Sequence, residues 1–193
     1  GAASSRTSRE GLAGSGSLIY AATHLPWLAP AGASLTVLAC PPANPWPHVR
    51  HDPGALLLLL RSSTLDGSHP FAAGLFTLEH PLRTALSLLN REGCHVNWHE
   101  PRVRPIYDSC LTLARIASHL ARKSGKADPD QAWCAGMLAP LGWLALAAIA
   151  PGRVANTLLD TGFGRNPLGT AERLLGADPV IVARRLARSW ELP

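Results

Sequence analysis

The fold of this chain is decided by one uncharged stretch, Gln131-Ala-Trp-Cys-Ala-Gly-Met-Leu-Ala-Pro-Leu-Gly-Trp-Leu-Ala-Leu-Ala-Ala-Ile-Ala-Pro151. An apolar run of about 18 or more residues is long enough to cross a membrane, so a membrane span and a buried helix are both candidates. Gly136, Pro140 and Gly142 would interrupt such a helix midway, and basic residues are not concentrated at one end. We therefore predict a kinked helix in a protein core, with no membrane partner.

The residues before this stretch predict where its helix begins and also predict a separate amphipathic helix. Asp128 can accept backbone N–H bonds at a helix start, and Pro129 suits the first helical position. Between Pro105 and Gly125 apolar residues recur about every 3.6 positions, and Gly125 is a good terminator. The members of this predicted apolar face are Ile106, Cys110, Leu113, Ala114, Ala117, Leu120 and Ala121.

Proline and aspartate mark further helix starts along the chain. Helices are predicted after Asp52-Pro53, from Pro81 to Asn90, from Arg153 to Leu159 and after Asp178-Pro179. The first of these contains a run of leucines and should end in a turn at Arg61-Ser62-Ser63. The segment 92–105 is predicted to be a loop.

Taken in order, these motifs resemble the HDOD family, the HD-related output domains. Gln131 to Gly142 is similar to the family text A-x-x-A-G-L-L-H-D-I-G, and Asp52-Pro53 with its leucines resembles a D-P-x-L helix. Glu172 to Pro193 is similar to E-x-x-x-L-G-x-D-H-x-x-V-G-x-x-L-x-x-x-W-x-L-P. The resemblance covers roughly residues 25–193 and implies an all-α, HD-like multi-helix bundle.

The same resemblance locates positions where metal-binding relatives carry their ligands. Ala139 and Pro140 stand in place of the His-Asp pair, and Ser109 stands where the first histidine ligand would be. Neither Ala139 nor Pro140 has a side chain that can ligate a metal or move a proton. We therefore expect a degenerate site at these three positions, with no catalytic residue, no metal and no cofactor.

The two ends of the chain bear on its domain organisation. Residues 1–24 begin with a Gly- and Ser-rich polar run and are expected to be a flexible segment or an appended element, helix or strand. The first residue is not methionine, and HDOD domains usually continue beyond the Leu-Pro pair that ends this sequence. We expect the chain to be a piece of a longer protein.

Composition narrows the classes of function. The 193 residues are 47% hydrophobic and 16% charged, which predicts a globular domain. The formal charge is +5, but the basic residues are scattered and form no stripe with interleaved aromatics, so we predict no nucleic-acid partner. Four cysteines lie far apart without a CxxC pair, and no secretion signal is present. These features predict reduced thiols and a cytoplasmic location.

The function implied by the resemblance is a non-catalytic regulatory or interaction domain in bacterial signal transduction, with a protein partner or a fused sensor kinase or other output domain. One alternative is a divergent metal-dependent phosphohydrolase that uses His95, His99, Asp108 or Asp160 as ligands. His95 and His99 are four apart, but Val96 stands where the H-E-x-x-H motif needs glutamate. The other alternative is a structural dimerisation module, in which a Leu- and Trp-rich face that includes Trp133, Trp143 and Trp190 forms a homodimer.

Overall fold

A computed structural model describes residues 18–25, 28–39, 46–65 and 94–192. The elements in this part of the chain are helix α1 (residues 18–23), strand β1 (Leu28–Ala29), helices α2 (Gly32–Ala39), α3 (Trp46–Val49) and α4 (Pro53–Leu65), strand β2 (Cys94–His95), and helices α5 (Arg104–Ser124), α6 (Pro129–Leu138), α7 (Leu141–Ile149), α8 (Pro151–Leu158), α9 (Pro167–Leu175) and α10 (Pro179–Ser189). The predicted all-α class is confirmed. The helix predicted from Pro81 to Asn90 lies outside the described residues.

Helix α4 begins as predicted, at a buried aspartate. The Asp52 carboxylate accepts hydrogen bonds from Gly54 N at 2.9 Å and Ala55 N at 3.1 Å, and a third from Ala31 N at 2.7 Å. Asp52 therefore caps α4 and also anchors the segment before α2. The prediction of a turn at Arg61–Ser63 was wrong, because α4 continues to Leu65. No glycine or proline interrupts the helix before Gly67.

A short parallel strand pair joins two distant parts of the sequence. Leu28 pairs with Cys94 and Ala29 with His95. The sequence had placed residues 92–105 in a loop, so β2 is a correction. A pairing of two residues is too short to produce an alternating pattern, and its partner lies more than 60 positions away, so no local sequence feature could predict it.

Helix α5 is the long amphipathic helix that the sequence predicted, but its buried face is rotated. Its buried residues are Ile106, Tyr107, Cys110, Ala114, Ser118 and Ala121. Leu113 and Leu120, which were expected on the buried face, are 41% and 58% exposed. At 100° per residue they lie at the margin of the buried stripe, whose centre is shifted towards Tyr107 and Ser118. The helix ends at Gly125, which adopts the left-handed conformation with φ 62°.

The uncharged stretch forms two helices, α6 and α7, that meet at an angle of 41°. The chain bends at Ala139 and Pro140, whereas Gly136 and Gly142 lie inside the two helices. No single helix in the described residues is long and apolar enough to cross a membrane, although the bent pair passes that test by length and composition together. Both helices contribute buried residues to the hydrophobic core.

The C-terminal helices close the bundle and contact its N-terminal part. The Asp178 side chain caps α10 by accepting from Val180 N at 2.7 Å, as predicted. At the other end of α10, the Trp190 indole donates from Nε1 to the Leu25 carbonyl oxygen at 3.0 Å. Residues 18–23, for which the sequence left helix and strand open, form a helix whose Leu18 and Ala22 belong to the same hydrophobic core.

Candidate functional site

The centre of the bundle is the tightly packed pair formed by α5 and α6. Only four residues connect the two helices, and Gly136 of α6 lies directly against the backbone of Ala114 in α5. The pair is therefore antiparallel, and its register places Pro140 level with Cys110. Because each helical residue advances the axis by about 1.5 Å, Ala139 and Ser109 also fall at this end of the pair.

At this end lie the three positions at which the sequence predicted a degenerate metal site. The Ser109 hydroxyl donates to the Pro105 carbonyl oxygen at 2.8 Å, within its own helix, and its side chain is exposed. Ala139 is an exposed residue that follows the end of α6, and the half-buried Pro140 directly precedes α7. Ala139 and Pro140 thus form the bend between α6 and α7, and neither side chain offers a donor atom to a metal.

His99 and Asp108, two of the metal ligands considered for a phosphohydrolase, both interact with Arg104 at the start of α5. Arg104 Nε lies 2.8 Å from Asp108 Oδ1, and Arg104 Nη1 lies 3.2 Å from His99 Nδ1. The guanidinium also lies over the Tyr107 ring, with Cζ 5.8 Å from its centroid. His99 and Asp108 are therefore connected through a cation, which opposes the binding of a metal ion between them. The side chain of His95 lies outside the described part of the structure.

Asp160 lies in another part of the domain, in the loop between α8 and α9. Its carboxylate accepts from Gly162 N at 2.8 Å and from Arg173 Nη2 at 3.0 Å. The Gly162 hydrogen bond, followed by that of Arg173, lowers the pKa of Asp160. Across the described residues, no three His, Cys, Asp or Glu side chains come together in a way that could hold a metal ion.

An aromatic cluster fixes α3 and the following turn against the α5–α6 pair. The Arg50 guanidinium stacks on Trp133, with Cζ 3.7 Å from the ring centroid, and lies 5.6 Å from the Trp46 ring. Trp133 Nε1 donates to the Arg50 carbonyl oxygen at 2.8 Å, and the Tyr107 hydroxyl donates to the His51 carbonyl oxygen at 2.8 Å. These contacts give the tryptophan an architectural role.

Two of the three tryptophans that were expected on a Leu- and Trp-rich homodimer face do not lie at the surface. Trp133 and Trp190 are only 4% and 3% exposed, and both belong to the core. Trp143 is half-buried and packs edge-on against Phe163, with ring centroids 5.6 Å apart. The correction has a simple cause, because aromatic residues at helical spacing are as typical of a core as of an interface.

The sequence did not reveal a cavity of about 590 Å³ that lies between α6 and α10, beside α4 and α7. Its described lining is Leu60, Ala127, Gln131, Ala132, Cys134, Ala135, Leu138, Leu141, Ala183, Arg184, Ala187 and Leu192. Burial raises the pKa of the Cys134 thiol to about 12, so this cysteine is protonated and weakly nucleophilic at neutral pH. The repeated alanines on α6 and α10 were visible in the sequence, but only the fold places them opposite each other.

These features define an all-α helical domain built around an antiparallel helix pair. The model of the HDOD domain family matches residues 91–193, more than half of the chain. The chain belongs to the HDOD family. Searches of curated proteins and of solved structures find no match.

Proposed function

We propose that this HDOD domain is a non-catalytic regulatory or interaction module in the cytoplasm of a bacterium, where it acts in signal transduction. The observation that carries the proposal is the identity of the residues at the end of the α5–α6 pair. Hydrolysis by an HD-type site needs nitrogen and carboxylate ligands that hold a cation and acidify bound water. Ser109, Ala139 and Pro140 supply none of these groups.

The other ionisable candidates do not favour the phosphohydrolase alternative. His99 and Asp108 both contact Arg104, and Asp160, in the loop between α8 and α9, contacts Arg173. A metal at any of these places would have to displace an arginine and recruit further ligands. The regulatory function needs no such rearrangement.

An exposed apolar row on α5 supports the interaction part of the proposal. Leu113, Ile116 and Leu120 recur at spacings of three and four along the helix and are 41%, 52% and 58% exposed. Apolar side chains grouped on one helix face are typical of protein contact surfaces. The expected partner is a separate protein or a fused signalling domain, such as a sensor kinase or another output domain.

The test measures the metal content and the phosphodiesterase activity of the wild type, and the manganese affinity of a variant that carries metal-binding residues at the three positions. We expect wild-type protein purified without chelators to contain no stoichiometric transition metal and to leave a generic phosphodiester intact when manganese is added. A triple variant with Ser109→His, Ala139→His and Pro140→Asp should gain manganese affinity, because the helix pair places these positions at one end. The control is Ser109→Ala alone, which should behave like wild type.

One metal per wild-type chain, with turnover that chelation abolishes, would overturn the proposal. A wild-type protein without metal or turnover would support it. If the folded triple variant binds no manganese, the three positions are not the remnant of a metal site, and the argument from those residues fails.

A further inference from the structure

We propose that the cavity between α6 and α10 binds an amphipathic carboxylate of the size of a medium-chain fatty acid. The apolar chain of the ligand would lie between the two helices, and its carboxylate would pair with Arg184. The cavity lies on a different face of α6 from the packed contact with α5. This inference does not depend on the regulatory function, because none of Ser109, Ala139 and Pro140 lines the cavity.

The cavity results from the way the helices are held. Gly136 lets α6 lie directly against α5, and Gly142 lets α7 lie directly against the start of α10, since a β-carbon at 142 would overlap the carbonyl oxygen of Pro179. Helices α6 and α10 are therefore each held by a different neighbour and do not close on one another. Ala135 and Ala187, whose short side chains face the gap, cannot fill it.

The size and lining of the cavity suit an apolar chain. Its volume of about 590 Å³ falls within the range of roughly 300–1,000 Å³ that is usual for small-molecule sites. Leucines at 60, 138, 141 and 192 contribute branched apolar walls, and the Cys134 thiol adds a small, uncharged surface. An apolar ligand would displace water from these side chains, which is favourable.

The polarity of the opening favours an anionic head group. Arg184 is the charged residue in the described lining, is exposed, and forms no ion pair with any described residue. Two acidic residues at the start of α6 already have other partners. The Asp128 carboxylate, which caps α6, accepts from backbone N–H groups, and Asp130 accepts from the Trp46 indole at 3.0 Å. A guanidinium at the edge of an apolar cavity can bind a carboxylate with two parallel hydrogen bonds.

The experiment is isothermal titration calorimetry of the full chain with dodecanoate, kept below its micellar concentration. Dodecyltrimethylammonium is the matched probe, with the same chain and the opposite charge. We expect saturable, one-to-one binding of dodecanoate and at least tenfold weaker binding of the cation. Anionic phospholipid vesicles form a third arm, in which the protein should not associate with the lipid.

Variants locate the binding event. Arg184→Gln should weaken dodecanoate binding at least tenfold, whereas Arg185→Gln, a change at the adjacent exposed arginine outside the described lining, should leave it unchanged. Ala187→Phe should abolish binding by filling the cavity. Ala135→Phe makes the same test from the facing helix if the first variant does not fold, and exposed Ala33→Phe is the control for added bulk.

Four outcomes would overturn the inference: no saturable dodecanoate binding, equal affinity for the two probes, affinity that is unchanged in folded Ala135→Phe or Ala187→Phe protein, and binding to vesicles without binding to free dodecanoate. Loss of dodecanoate affinity in both Arg184→Gln and a cavity-filling variant, with both controls unchanged, would establish the site.

Discussion

Gly136 in the middle of α6 lies against the backbone of Ala114 in the middle of α5, so close that a β-carbon at 136 would be 2.5 Å from the α-carbon of Ala114. Real β-carbons do not approach other atoms closer than 3.0 Å. The missing side chain is therefore what allows the two helices to pack at this distance and sets the register that aligns Ser109 with the end of α6. Glycine here serves packing within a helix, although in the sequence it suggested a weak point.

The Gly136→Ala variant should be less stable than the wild type. Alanine favours a helix by about 1 kcal/mol over glycine, but the added methyl group would push against a backbone that cannot move alone. We expect a net loss of about 1–3 kcal/mol in the free energy of unfolding, measured by urea denaturation. The control is Gly152→Ala in α8, where the nearest atom to the new β-carbon is a side-chain nitrogen of Arg102 at 4.0 Å. If the two variants are equally stable, the close approach is not what Gly136 provides.

Asp52 should matter far more than an ordinary helix cap. Replacing it with alanine removes the cap of α4 and also leaves the Ala31 N–H group without its acceptor. The expected loss for Asp52→Ala is about 2–3 kcal/mol, the sum of a lost cap and a partly buried donor left without its acceptor. Asp178→Ala, which removes a cap with a single hydrogen bond to Val180 N, should lose about 1 kcal/mol. Thermal and urea denaturation of both variants would measure the difference, and equal losses would contradict the anchoring role.

Local features of the sequence predicted the helices well because their ends are determined locally. Asp52, Asp128 and Asp178 each accept backbone N–H bonds at the helix starts that the sequence indicated. Gly125 adopts the left-handed backbone that favours glycine after a helix, with φ of 62°. The family could also be predicted from the sequence, because its motifs lie in order along the chain, and the family model matches residues 91–193.

What the sequence could not predict depends on contacts between distant residues. Leu113 and Leu120 belong to the apolar period of α5, but whether they are buried depends on which neighbour covers that side of the helix. The cavity likewise requires knowledge that α6 and α10 are held by different partners. Its residue type alone does not decide whether Trp190 lies in the core or at the surface. Its contact with Leu25, 165 positions away, places it in the core.

The hydrogen bond between Trp190 and Leu25 should stabilise the junction of the two ends of the described chain. Trp190→Phe keeps most of the apolar contact but leaves the buried Leu25 carbonyl without its donor. We expect the free energy of unfolding to fall by about 1–3 kcal/mol. Trp143→Phe is the control, because the half-buried Trp143 side chain makes a ring contact but no hydrogen bond among the described residues. Equal stability of Trp190→Phe and wild type in urea would show that the bond contributes nothing.

The last prediction concerns His51, whose imidazole lies edge-on to the Trp133 ring at a centroid distance of 5.4 Å. Burial, followed by the charges of Arg50 and Arg115, lowers the pKa of His51 below its ordinary value of 6.5. The folded protein therefore binds this proton less readily than the unfolded chain does. The free energy of unfolding should decrease as the pH falls from about 6.5 towards the lower pKa of the folded state.

Urea denaturation between pH 8 and pH 5 would measure this slope, and an NMR titration of the imidazole would give its pKa directly. His51→Asn should flatten the slope, because it removes the group whose pKa differs between the two states. Arg115→Gln should raise the pKa of His51 towards 6.5, since it removes one of the repelling charges, whereas Lys123→Gln, at the far end of α5, should not change it. A pKa of 6.5 or higher for His51 in the folded protein would contradict this prediction, because burial and the two arginines should both disfavour the charged imidazole.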